Sequence, residues 1–221
     1  YVAEFLDGMS PISSLMTPPK GEDLLPWYIQ TGGLRRRLRL LAHAGEALVG
    51  LHALGLIYMD VSPNNIFVSS ASHALEAWLI DLDNLCHTSE LSKSFFTPFF
   101  GAPEVVKAHA GCTSLSDAWA FAVLTWNTLT LNHPLIGDYV NDGEPELEEQ
   151  ALRGELPWVA HSSDDLNMST TGLPHEFVMS RRLLALARRT FEEGVDETLR
   201  RPSVSEWVSE LHAAADQTCS C

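Results

Sequence analysis

The sequence predicts a mainly α (α+β) fold, a helical bundle carrying one small β-hairpin. Three observations predict it. Leu34, Leu38, Leu41, Ala42, Ala44, Leu48 and Leu51 recur at near-helical spacing. Two short apolar runs, 66–68 and 77–80, flank a polar turn at 69–73, the pattern of a hairpin. A chain of 221 residues at 45% hydrophobic content is long enough to bury one sizeable core.

Taken in order, residues 1–6 alternate and are rich in strand formers until Asp7-Gly8 breaks the pattern. From Pro11 to Gly33 the Pro, Gly and Ser content predicts loop, with one turn of helix near Leu24 to Ile29. The leucine-patterned segment then predicts a long amphipathic helix ending at Gly55, a residue suited to a helix C-terminus. After it come the short piece Leu56-Ile57-Tyr58 and the hairpin. Residues 84–104 have no period and contain Pro98, Gly101 and Pro103, so an irregular segment is expected there. Helices return at about 115–131, 145–153, 180–193 and 203–214.

The balance of 14 Lys+Arg against 29 Asp+Glu gives a formal charge of −15, which repels nucleic-acid phosphates and anionic lipid. Neither nucleic acid nor a membrane is therefore expected as a partner. The run from Ala118 to Leu131 is too short and too polar to span a bilayer and reads as a buried helix. Cysteines at 86, 112, 219 and 221 form no spaced framework, which favours a reducing, cytoplasmic setting. The nine histidines are scattered without ligand spacing and read as surface or packing residues.

The chemically informative stretch is Tyr58-Met59-Asp60-Val61-Ser62-Pro63-Asn64-Asn65, followed sixteen residues after Asn65 by Asp81. An Asp and an Asn five apart on a loop, with a second Asp beyond a hairpin, put three oxygen-bearing side chains on one edge. Phosphoryl transfer needs such a set, a carboxylate near the attacking hydroxyl and oxygen ligands for Mg²⁺. Taken alone, the same residues also suit turn and capping chemistry.

The loop resembles the catalytic loop H-R-D-x-x-x-x-N of protein kinases, and Asp81 falls where the Asp of D-F-G belongs. Thr97-Pro98-Phe99-Phe100-Gly101-Ala102-Pro103-Glu104 is similar to the end of a kinase activation segment, T-P-x-x-x-A-P-E. Asp117-Ala118-Trp119-Ala120-Phe121-Ala122 resembles the D-x-W-x-x-G opening of the central buried helix, with Ala122 in place of Gly. Arg201-Pro202-Ser203 resembles the R-P-[ST] whose Arg pairs with the A-P-E Glu. The run Leu79-Ile80-Asp81-Leu82-Asp83 is similar to that of a divergent bacterial kinase-like subgroup.

The resemblance implies the C-terminal lobe of a serine/threonine protein kinase, the last strand of the upper lobe and the hinge at 1–8, the lobe itself at 9–214 and a tail at 215–221. It implies ATP and Mg²⁺ as cofactors and a protein substrate. Asp60, Ser62 and Thr97 form the implied catalytic set. Glu4, Leu6, Phe67 and Asn65 would hold the nucleotide, and Asn65 and Asp81 the metal. The Gly-rich loop, strand Lys and helix Glu of the upper lobe are not in the sequence, so the chain is expected to be a fragment that is inactive in isolation. Tyr58 and Met59 replace His and Arg, Ser62 replaces the Lys that contacts the transferred phosphate, and Leu82-Asp83 replace Phe-Gly. Leu82 can still fill the apolar slot of that Phe, and Asp83 reads as a solvated turn residue or a further metal contact.

Two other functions are open to the sequence. One is a pseudokinase-like scaffold, favoured by Met59, Ser62 and Asp83. The other is a kinase-like small-molecule phosphotransferase, disfavoured by the intact Ala102-Pro103-Glu104 and Arg201.

Overall fold

The computed structural model describes residues 7–89 and 94–218. Strand β1 (Met9–Pro11) leads through a 3-10 turn to α1 (Leu24–Gln30) and the 21-residue α2 (Gly33–Ala53). Pro26 sits in the first turn of α1, where its missing N–H breaks no helical bond. Gly32, at φ 95°, makes the corner between the two helices in a region closed to most side chains. Gly55, at φ 72°, reverses the chain after α2 as its position in the sequence predicts.

Strand β2 (Leu56–Ile57) follows, then β3 (Ile66–Ser69) and β4 (Ala77–Leu79). The expected hairpin is present, antiparallel, with Ile66 opposite Leu79 and Phe67 opposite Trp78. The sheet has a third strand where none was expected, ending on Pro11, the first residue of the expected loop. β1 pairs antiparallel with β3, Met9 opposite Ser69 and Pro11 opposite Phe67. Three residues are too few for an alternating pattern to show in a sequence. The strand and hinge expected at residues 1–6 lie outside the described residues. Within the segment expected to be irregular, β5 (Cys86–His87) pairs with β2.

The remaining elements are α3 (Pro103–Val106), α4 (Ser114–Thr130), α5 (Asp138–Asn141), α6 (Pro145–Leu152), α7 (His175–Val178), α8 (Arg181–Arg188) with a π turn at Arg189–Glu193, and α9 (Val204–Gln217). α4 opens on a reciprocal cap between Thr113 and Ser116 and is apolar nearly all round, so it runs through the core with Trp119, Phe121 and Trp126 buried. α9 opens on the same device between Ser203 and Glu206. It continues past the boundary expected at 214, to Gln217, because Ala214 and Ala215 are good helix formers with a core to pack on.

α9 lies along α2. A Cβ built on Gly45 of α2 would fall 2.5 Å from Val208 of α9 and 2.9 Å from Phe121 of α4, so only glycine admits this approach. Beside that contact His212 meets both Arg39, at 2.8 Å, and Glu46, at 2.8 Å. Among the described residues no helix is long and apolar enough to cross a membrane.

Candidate active site

The site is assembled on the loop between β2 and β3. Asp117, in the first turn of buried α4, accepts hydrogen bonds from the backbone N–H of Tyr58 at 2.8 Å and of Met59 at 2.9 Å, and its Oδ2 also meets His52 Nε2 at 2.9 Å. These contacts hold Met59 at φ 66°, a left-handed conformation that costs a non-glycine residue free energy and persists where the surroundings enforce it. The strained residue is the one immediately before Asp60.

Asp60 is buried, and neutral donors hold both its oxygens. Asn65 Nδ2 donates to Oδ2 at 2.6 Å and to the Asp60 carbonyl at 3.2 Å. Thr97 Oγ1 donates to Oδ1 at 2.5 Å, across 37 residues of chain. The loop is tied from outside as well: Ser13 donates through its N–H to the Pro63 carbonyl at 3.3 Å and through its hydroxyl to Asn64 Oδ1 at 3.2 Å. Asp60 and Asn65, five apart on the loop, and the distant Thr97 thus share one hydrogen-bonded cluster.

Asp81 is brought to this loop by the hairpin. The Ile80 N–H donates to the Asn65 carbonyl at 3.0 Å, extending the register of β3 and β4 by one step, so Asp81 follows directly on the residue opposite Asn65. Asp81 itself is exposed and left-handed at φ 56°, a conformation Asp tolerates better than most side chains. The Tyr58 phenol joins the two segments, donating to the carbonyls of Asn65, at 3.2 Å, and of Ile80. Its pKa is pushed up, first by burial and then by the negative charges of Asp60, Asp81 and Asp117, so it remains a donor across the ordinary pH range.

Phe67 is half-buried on β3, on the sheet face opposite the fully buried Ile66 and Val68. Ser62 is buried in the loop, where its carbonyl accepts from the Asn65 N–H at 3.1 Å. Glu4 and Leu6 lie outside the described residues. Leu82 does not fill an apolar slot: it is 49% exposed, because the chain turns out through a 3-10 turn at Leu82–Asn84 immediately after Asp81. Asp83 is exposed in the same turn.

Glu104 and Arg201 meet as expected. Arg201 NH1 and NH2 each donate to one carboxylate oxygen of Glu104 at 2.7 Å, Nε donates to the Gly194 carbonyl at 2.7 Å, and the guanidinium lies 4.8 Å from the ring centroid of Trp119. The pair fixes α3, and with it the segment that follows Thr97.

His52, His133 and the Tyr58 phenol were missed by sequence reasoning. His133 Nε2 lies 3.0 Å from the Phe99 carbonyl while Nδ1 accepts from the Leu135 N–H at 3.2 Å, so the neutral tautomer clamps the segment beyond Thr97. Phe99 is another left-handed residue, at φ 73°. Burial lowers the His133 pKa to about 4, partly opposed by the bond to the Phe99 carbonyl.

A helical lobe with a small sheet, an Asp–Asn–Thr cluster on a loop pinned by a core helix, and a buried Glu–Arg pair define a kinase-like protein. A sequence model of the protein kinase domain matches residues 21–209, and the chain belongs to that family. It is 33% identical over 126 residues to protein kinase C-like 1 of Candida albicans, covering 55% of this chain and 11% of the relative. It is 29% identical over 147 residues to the serine/threonine-protein kinase pkn2 of Myxococcus xanthus, covering 62% and 16%. It is 25% identical over 200 residues to the DNA damage-responsive serine/threonine-protein kinase RqkA of Deinococcus radiodurans, covering 81% and 30%. The chain spans less than a third of the length of these relatives.

Proposed function

We propose that this lobe serves ATP- and Mg²⁺-dependent transfer of a phosphoryl group to Ser or Thr of a protein substrate, in a cytoplasmic setting. The observation that carries the reading is the pair of hydrogen bonds on Asp60. Asn65 and Thr97 fix the plane of its carboxylate from two sides, and a base that must receive a hydroxyl proton needs such fixed aim.

The donor chemistry suits a hard cation. With Nδ2 of Asn65 engaged on Asp60, its side-chain oxygen has no hydrogen bond among the described residues, and neither has the carboxylate of Asp81. Two oxygen donors at adjoining positions of a hairpin would hold Mg²⁺, which keeps several ligands from water and phosphate. The bound metal and nucleotide would supply charge neutralisation at the transferred group. Asn65 binds while orienting Asp60, and Asp60 takes the proton of the attacking hydroxyl. Thr97 keeps Asp60 in place and borders the segment, ending in Glu104, on which a peptide would lie. Phe67 offers an apolar face for the base, with the backbone of Glu4 and Leu6 proposed at its edge. Ser62 sets the loop through its carbonyl and leaves the transferred phosphate without a cation from that position.

Phosphate incorporation into a Ser/Thr peptide library by the whole protein, with Asp60→Asn as the control, tests the reading. Loss of at least about 100-fold in rate is expected for the variant. Equal rates in the two proteins, or none in either with nucleotide binding retained, would favour the scaffold.

A further inference from the structure

We propose that the groove between α1, the start of α2 and α7 is a docking site for a peptide segment of a partner protein in which acidic and apolar residues are interspersed. The groove encloses about 1120 Å³ and lies on elements other than those carrying Asp60, Asn65 and Thr97. Leu25 and Ile29, one turn apart on α1, are 60% and 64% exposed, and Phe177 on α7 is 80% exposed; all three line this one groove. Apolar side chains gathered in this way, at such exposure, mark an interaction surface more often than an ordinary stretch of surface.

Charge selects the occupant. The chain has 29 acidic residues against 14 basic ones, yet among the described residues no Asp or Glu lines the groove, whereas Arg35, Arg36 and Arg39 do. The Arg39 charge is offset by Asp216. That of Arg36 is not: its guanidinium donates to the carbonyls of Ala74, Thr31 and Ser69 and meets no carboxylate among the described residues. Its neighbour in sequence, fully buried Arg37, lies 3.9 Å from the ring centroid of Tyr28, donates to the carbonyls of Tyr28, Gly33 and Leu15 and to the Thr31 hydroxyl, and likewise meets no carboxylate among the described residues. Two adjacent guanidiniums held by neutral oxygens give the floor a positive potential that reaches into the groove, since partly buried charge is little screened. Negative groups flanked by apolar side chains satisfy both features.

The test is fluorescence anisotropy of the whole protein with three labelled peptides of equal length: alternating Glu and Leu, the same with Lys for Glu, and the same with Ser for Leu. Only the Glu/Leu peptide should bind, with affinity falling as salt is raised. Ile29→Asp and Phe177→Ser, both at exposed positions and checked for unchanged melting temperature, should each weaken it at least about tenfold. Equal binding of the Lys and Glu peptides, unchanged affinity in both variants, or binding of laurate without binding of any peptide would overturn the proposal.

Discussion

The guanidinium of Arg201 closes on the carboxylate of Glu104 through two parallel hydrogen bonds of 2.7 Å, across 97 positions of sequence. The Arg201 side chain is fully buried and that of Glu104 only 16% exposed, so Arg201 left alone is a charge that water cannot reach, and Glu104 one that water reaches only in part. Glu104→Gln and Arg201→Met should each cost about 3–5 kcal/mol. Thermal unfolding of the two single variants and the double variant checks this: the double variant should be far less damaged than the sum of the singles.

Asp81 and Asp83 are two residues apart, and their contexts differ. Asp81 follows directly on the residue paired with Asn65, whereas Asp83 lies in the exposed turn beyond it. Asp81→Ala should abolish Mg²⁺-dependent nucleotide binding by the whole protein and Asp83→Ala should reduce it by a few-fold at most, as read by ATP titrations with and without Mg²⁺. Equal losses would move the metal away from Asn65.

Removing the Tyr58 hydroxyl should loosen the same corner without altering any metal donor. In Tyr58→Phe the Asn65 carbonyl keeps its bond from the Ile80 N–H, while the Ile80 carbonyl loses the phenol. A loss of about 1–3 kcal/mol in stability is expected, with weaker Mg²⁺-dependent nucleotide binding. Wild-type affinity in a destabilised variant would confine Tyr58 to a structural role.

His133 should make stability fall on acidification. Its folded pKa of about 4 lies below the unfolded value near 6.5, so the unfolded chain takes up the proton first. The contribution is complete above about pH 6.5 and declines as pH drops toward about 4. Protonating Nδ1 also sets it against the Leu135 N–H it now accepts from. Denaturant titrations from about pH 7 to 4.5 should therefore show a shallower decline in His133→Gln than in the parent.

The parts of the site that the sequence made legible are those whose spacing is local or whose residue types are costly to place otherwise. Asp60 and Asn65 lie five apart on one loop, and Glu104 and Arg201 are charges that need each other once buried. Tyr58, His52 and His133 were not legible, because each acts by bonding to a backbone carbonyl or to a residue far along the chain, and an aromatic side chain carries no signature of that. β1 was hidden by its length of three residues. Leu82 shows the opposite error: apolar character suggested burial, but the backbone turn after Asp81 decided its exposure.

The close crossing of α2 and α9 at Gly45 ties an early segment of the chain to its last helix. During synthesis the leucine face of α2 leaves the ribosome about 150 residues before Val204, a wait of roughly 8–30 s at the usual pace of translation. For that interval Leu38, Leu41 and Leu48, all fully buried in the finished protein, have no partner on that side. The nascent chain thus carries an amphipathic helix whose apolar face waits for its cover until α9 emerges.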